Sequence, residues 1–243
     1  MVVFLIADFY GDISIWIYIG IIIATIALLV YGSASVGSGF YCRVICSAET
    51  DEKVIALTFD DGPHKINTPL ILDILAGNNV KAVFFCVGDR VKAHPDVVRR
   101  IDREGHIIGN HSATHHFFFD LSGKKRMMRE LEENDEIIGN LIKRKVKLFR
   151  PPYGVTNPAL AAVAAIRDYS VIGWSLKSKD TVIKNEDVLL QRLEKRLKKG
   201  DLILFHDTMD ITARVLERFI LFAKGQGYRF ERIDHLLKIN AYE

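Results

Sequence analysis

Residues 54–87 read VIALTFDDGPHKINTPLILDILAGNNVKAVFFCV. Val54–Phe59 is a short apolar run of the kind that forms a buried strand. Asp60-Asp61-Gly62-Pro63 breaks it with turn-forming residues. Pro69 then opens a helix capped by Thr68, which ends near Gly77. Val80–Val87 (VKAVFFCV) is the next strand candidate. Strand, crossover helix and strand within one such stretch is the βα unit of a parallel sheet or βα barrel.

The unit repeats along the chain. Pro95 starts a helix that stops at Gly105, before a short strand at His106–Ile108. Lys124–Leu141 is a charged amphipathic helix, followed by a strand at Val146–Phe149. The Ala-rich helix Pro158–Arg167 precedes Ser170–Trp174, and Asp187–Lys199, stopped by Gly200, precedes Leu202–Phe205. A final helix is expected over Ile211–Lys224 and a last strand around Tyr228–Phe230. All six prolines sit at helix starts or in loops, so none argues against a strand. In a βα barrel the chemistry gathers where strands end and the following loops begin.

Those strand ends carry unusual residues. The first delivers the adjacent carboxylates Asp60 and Asp61, which are costly there unless a cation or hydrogen bonds hold them; a plain polar turn is the competing reading. The third runs into Asn110-His111-Ser112-Ala113-Thr114-His115-His116. Four-residue spacing lets His111 and His115 face one metal if the stretch is helical or turns once, and His116 then points elsewhere. Solvated surface histidines explain one such pair as well. With a free carboxylate the pair becomes the two-His, one-carboxylate set of a catalytic divalent ion. Arg150, before the stiff Pro151-Pro152, is a candidate charge partner for a carboxylate, or else a surface cation. Trp174 leads to Asp180, and Leu202–Phe205 ends in His206-Asp207.

TFDDGP, HSATH, RPPYG and an apolar strand closing in HD, in this order, resemble the polysaccharide deacetylase family (carbohydrate esterase family four), over about residues 53–240. The resemblance implies a distorted (β/α) barrel, an α/β fold. It implies Asp60 as general base, and Asp61, His111 and His115 as ligands of one divalent ion, Zn first, with Co, Ni or Mn as alternatives. Arg150 would steady the base, the Tyr153 backbone N–H would help hold the oxyanion, and His206 would be the general acid. The family commonly has Asp-Trp in its fourth motif. Here Asp180 is present to support His206, but Thr181 stands where the Trp would, which leaves the pocket shape open; Tyr153 and Trp174 are the candidate substrate-binding residues.

Before the barrel the chain changes character. Residues 1–50 carry only Asp8, Asp12, Arg43 and Glu49, a local charge of −2 against +3 for the whole chain, which leaves +5 on residues 51–243. Ile13–Tyr31 holds nineteen residues without a charge. As a helix it spans roughly 28 Å, close to the hydrocarbon core of a bilayer. We read it as an uncleaved anchor: a signal peptide would need a basic n-region, and no Lys or Arg precedes Ile13, although Gly32, Ser33, Ala34 and Ser35 would suit a peptidase. Gly32–Gly39 reads as a flexible spacer, which assigns residues 1–50 to anchor and linker and residues 51–243 to the catalytic domain. Arg43 and Lys53 after the span would by charge bias keep the domain in the cytoplasm. A polysaccharide substrate overrules that bias and places it outside.

Composition narrows the function. Hydrophobic residues at 49% and charged residues at 26% exclude wholesale disorder, and three cysteines exclude a disulfide framework. Cys42 and Cys46 read as small juxtamembrane residues and Cys86 as core. The modest net charge gives no case for nucleic acid. The leading expectation is a membrane-anchored metal hydrolase that removes N-acetyl groups from amino sugars of a cell-wall or surface polysaccharide, peptidoglycan or chitin-like. An O-acetyl esterase on xylan-type or surface glycan, a lipid-linked sugar deacylase and an inactive glycan-binding module are the alternatives.

Overall fold

The computed structural model describes residues 14–243; Asp8, Asp12 and Ile13 lie outside them. Helix α1 (Ile15–Ala34) begins at Ser14, whose hydroxyl accepts from the Trp16 N–H, and runs three residues past the expected end. Its large apolar side chains are exposed all round, Trp16 at 74%, Ile23 at 61% and Val30 at 59%, and only Gly32 is buried. Its length and apolarity qualify it as a candidate transmembrane span.

The rest is a parallel α/β fold, a barrel left open on one side. Its elements are β1 (Val54–Asp60), α2 (Asn67–Gly77), β2 (Ala82–Cys86), α3 (Gly88–Ala93), α4 (Pro95–Arg103), β3 (Ile107–Asn110), α5 (Lys124–Ile142), β4 (Leu148–Phe149), α6 (Pro158–Arg167), β5 (Ser170–Val171), β6 (Leu176–Lys177), α7 (Glu186–Arg196), β7 (Leu202–His206), α8 (Asp210–Gly225), β8 (Arg229–Phe230) and α9 (Ile233–Leu237). The strand order is β5-β4-β3-β2-β1-β7-β6, with β8 added beside the start of β1. β1 is buried along its whole length because both faces are covered. Ile55, Leu57 and Phe59 pack outward with Ile71, Leu75 and Phe84. Ala56 packs on the other face with Val83, Phe85 and Ile107. Two-residue periodicity puts Thr58 and Asp60 on that inner face.

Several expectations shift. Helix α2 starts at Asn67, so Thr68 is inside its first turn and caps nothing; its hydroxyl accepts from His64 N–H at 2.7 Å and donates to Asp207 at 2.5 Å. Helix α7 ends at Arg196, four residues before Gly200. Strand β6 and helices α3 and α9 were not anticipated.

The Gly32–Gly39 stretch is a hydrogen-bonded turn, not a loose spacer. Ser35 N–H donates to Tyr31 O and the Ser38 hydroxyl to Gly32 O, at 3.0 and 2.9 Å. Beyond it, residues 45–48 enter the gap between β5 and β7. Ile45 N–H donates to Val171 O at 2.9 Å, Gly173 N–H to Ile45 O at 2.8 Å and Ala48 N–H to Gly200 O at 2.8 Å. A barrel wall that lacks one strand is thus completed by chain from before β1.

Candidate active site

The inner face of β1 opens the site. The Thr58 hydroxyl donates to Ile203 O at 2.8 Å and accepts from Arg150, and Asp60 follows two residues on, nearly buried. Asp61 turns away with φ 71°. Gly62 must be glycine, since a Cβ there would stand 2.0 Å from the Asp207 carboxylate. The loop after β3 is neither helix nor strand; Ser112 and His115 take φ of 65° and 49°. It is braced from below: Asn110 Oδ1 accepts from Ser112 N–H and Asn134 Nδ2 at 2.8 and 2.9 Å, while Asn110 Nδ2 donates to Asp135 at 2.7 Å.

This turn brings His111 and His115 against Asp61. Each Nε2 lies 3.4 Å from Asp61 Oδ1, and one ligand atom from each of the three residues falls within 4.8 Å of the others. Two ligands about 2.0 Å from a tetrahedral ion stand about 3.3 Å apart, so the two Asp–His separations suit a Zn²⁺-sized ion. His111 Nδ1–H donates to Arg150 O at 2.8 Å, which leaves its Nε2 lone pair free to ligate. The donor set therefore fits a divalent metal. Burial would push the Asp61 carboxyl up, but the His111 imidazole bonded to it, with His115 and His206 nearby, holds it well below the usual range. Such a carboxylate is ionised whenever a cation would need it. His116 is exposed and is not among the clustered residues; its Nδ1 accepts from Phe118 N–H at 3.1 Å.

Arg150 is fully buried. Its Nη1 donates to Asp60 Oδ1 at 2.7 Å and to Thr58, its Nε to Ile172 O and its Nη2 to Gly173 O at 2.6 Å. Such complete pairing is what makes a buried guanidinium tolerable. Across the cleft, His206 Nδ1 lies 2.8 Å from Asp180 Oδ1, and Asp180 Oδ2 accepts from His206 N–H and the Thr212 hydroxyl, both at 2.7 Å. Burial depresses the His206 pKa, yet the hydrogen bond and charge of Asp180 raise it overall. Asp180 thus stands against His206 although Thr181 follows it.

Tyr153 has φ 59° and is half-exposed, its ring 4.9 Å from that of His115. Its backbone N–H has no acceptor among the described residues. Gly154 has φ 72°, and a Cβ on it would come 2.3 Å from the Trp174 ring, so a bare backbone lets that ring close the wall. All nine expected residues meet here except that Arg150 and Asp180 stand just behind the surface; Lys177, Thr181 and Leu204 complete a cleft of about 270 Å³. Thr58, two residues before Asp60, could have been found from strand periodicity. Lys177 carried no such signal.

A family model described as polysaccharide deacetylase matches residues 47–172. The peptidoglycan-N-acetylglucosamine deacetylase of Bacillus cereus is 33% identical over 193 residues, 77% of this chain and 90% of that protein. The chain belongs to the polysaccharide deacetylase family. The solved structure of the Bc1960 peptidoglycan N-acetylglucosamine deacetylase superposes with a TM-score of 0.79 at 28% identity, over 82% of this chain and 95% of that one. A CE4 family pseudoenzyme from Bacillus anthracis also superposes, with a TM-score of 0.76 at 28% identity, over 80% of this chain and 69% of that one. Because the polysaccharide deacetylase fold occurs in a deacetylase and in a pseudoenzyme, the activity has to be argued from this chain's own side chains.

Proposed function

We propose that the protein is a metal-dependent hydrolase that removes N-acetyl groups from amino sugars of a cell-wall polysaccharide of the peptidoglycan or chitin-like class. The observation that carries this reading is the opposition, across one cleft, of the Arg150-held Asp60 and the Asp180-held His206, with the Asp61, His111 and His115 cluster beside them. An inactive binding module would have no need of this set.

Asp60 is the general base: Arg150 fixes its Oδ1, and its Oδ2 is 4.0 Å from His111 Nε2, on the side of the cluster where an attacking water would stand. Asp61, His111 and His115 would hold the ion. When bound, a divalent ion supplies Lewis-acid polarisation of the acetyl carbonyl and makes a nearby water more acidic. The Tyr153 N–H serves the developing oxyanion. His206, kept protonated by Asp180, gives its proton to the departing amine, which an amide requires because an amine anion leaves poorly. Trp174, Thr181 and Leu204 wall the acetyl group.

Helix α1 acts as a membrane anchor, and the barrel lies outside the cytoplasm, where such polymers are found. The test measures acetate released by the full chain in detergent from N-acetylglucosamine oligomers and from acetylated xylan. Release from the amino-sugar oligomers, lost with chelator and lost together with bound metal in His111→Ala, is expected. Full activity in metal-stripped His111→Ala would remove the metal site, and release from acetylated xylan alone would make the protein an esterase.

A further inference from the structure

The loop after His115 presents apolar side chains to solvent in a row. Phe117 is 71% exposed, Phe118 54% and Leu121 76%. The Phe117 ring lies 4.9 Å from Phe118 and 6.2 Å from Tyr153, so the row starts at the rim of the cleft. Phe119 between them is buried and roots the loop in the fold. An exposed apolar patch of this kind marks an interaction surface.

Its position relative to α1 says what it meets. Asn157 Nδ2 donates to Asp120 O at 2.5 Å, and the neighbouring Thr156 is bonded to the end of α1, its N–H to Ser33 O at 3.0 Å and its hydroxyl to Gly32 O at 3.3 Å. The aromatic loop is thus tied through residues 156–157 to the last turn of the helix. A 20-residue helix spans about 30 Å, so a bilayer crossed by α1 must end near that turn. Tyr31 and Phe40 are exposed at the same end, where aromatic rings favour the interface. Past the loop, Lys124, Lys125 and Arg126 form the first turn of α5. They oppose the helix dipole there and have no acidic partner among the described residues. An anionic headgroup layer would relieve both deficits.

We propose that Phe117, Phe118 and Leu121, flanked by Lys124, Lys125 and Arg126, seat in the headgroup region of an anionic bilayer, so that the cleft opens at the membrane surface onto membrane-proximal acetylated glycan. This rests on α1 as an anchor. The full chain is reconstituted in phosphatidylglycerol vesicles, with and without bromine on the acyl chains, and Trp emission is compared for the parent, Phe118→Trp, Leu121→Trp and Leu221→Trp. Leu221, on α8, is the exposed control, and acetate release from soluble oligomers verifies that each variant is folded. Blue-shifted added emission at 118 and 121, lost with brominated lipid, is expected, while Leu221→Trp keeps its added emission. Brominated lipid that quenches the parent's Trp16 but not positions 118 and 121 overturns the seating; the loop then stands in water or over the glycan. An unquenched Trp16 overturns the anchor, and the seating with it. Equal quenching at 118 and 121 in phosphatidylcholine vesicles removes the anionic requirement.

Discussion

Asp61, Ser112, His115 and Tyr153 all hold left-handed backbone conformations. Each costs a non-glycine residue on the order of 1–2 kcal/mol. Four of them around one cleft set Asp61 and the two imidazoles on a common point and free the Tyr153 N–H, an arrangement fixed before any ligand arrives. His206 is set by charge instead. Because Asp180 raises its pKa, the imidazolium persists above the ordinary histidine range, and the rate should fall only as pH climbs past that raised value. Asp180→Asn removes the charge that raises it. The alkaline limb of the pH–rate profile for acetate release should then move to lower pH, with a loss at neutral pH on the order of 10². A limb that stays in place takes the acid role away from His206.

At the scale of elements, His106 joins β2 to β3. It is buried, its Nδ1 accepts from Ala82 N–H at 3.1 Å, and its Nε2–H finds no acceptor among the described residues. Burial, helped by the charges of Lys81, Arg100 and Arg232, pulls its pKa down to about 4. The folded protein therefore keeps His106 neutral where the unfolded chain would protonate it. Stability is full above about pH 6.5 and declines as pH falls toward 4, by on the order of 3 kcal/mol. His106→Asn keeps an acceptor for Ala82 and should flatten that slope in urea titrations between pH 4 and 7; an unchanged slope would place the titration elsewhere. Elements with a periodic apolar pattern, such as α6 and β7, are legible in the sequence. Two-residue β6 is not, because Trp174-Ser175-Leu176-Lys177 is too short to show a period. The site's Asp, His and Arg are legible because they stand at strand ends. Their brace from α5 is subtler: Asn134 and Asp135 lie on the same buried stripe as Leu131 and Ile138, and polar residues on a core stripe are its one signal.

For the whole molecule, residues 45–48 matter beyond their number. Ile45 O takes the N–H of Gly173, whose own O takes Arg150, which holds Asp60. Relative to a chain that starts at residue 36, one that starts at residue 53 should lose on the order of 3 kcal/mol through the three seam hydrogen bonds, about 1 kcal/mol for each, and should release acetate more slowly. A chain that starts at residue 36 gives up the Thr156 bonds to Gly32 and Ser33 but keeps the seam, and should retain activity on soluble oligomers. Equal urea midpoints for the two would make the seam strand dispensable. The same strand orders events during folding. It is made before β1, yet its partners lie at 171–173 and 200–201, so closing that loop of about 125 residues costs roughly 4 kcal/mol of chain entropy. The seam therefore cannot close until residues 200–201, just before β7, have been synthesised. Until it does, β5 and the residues just before β7 present open edges. On the proposed anchoring by α1, chains tethered side by side in one plane would meet those edges at high local concentration, and crowding at the membrane, more than any weakness of the finished barrel, would set the hazard of misassembly.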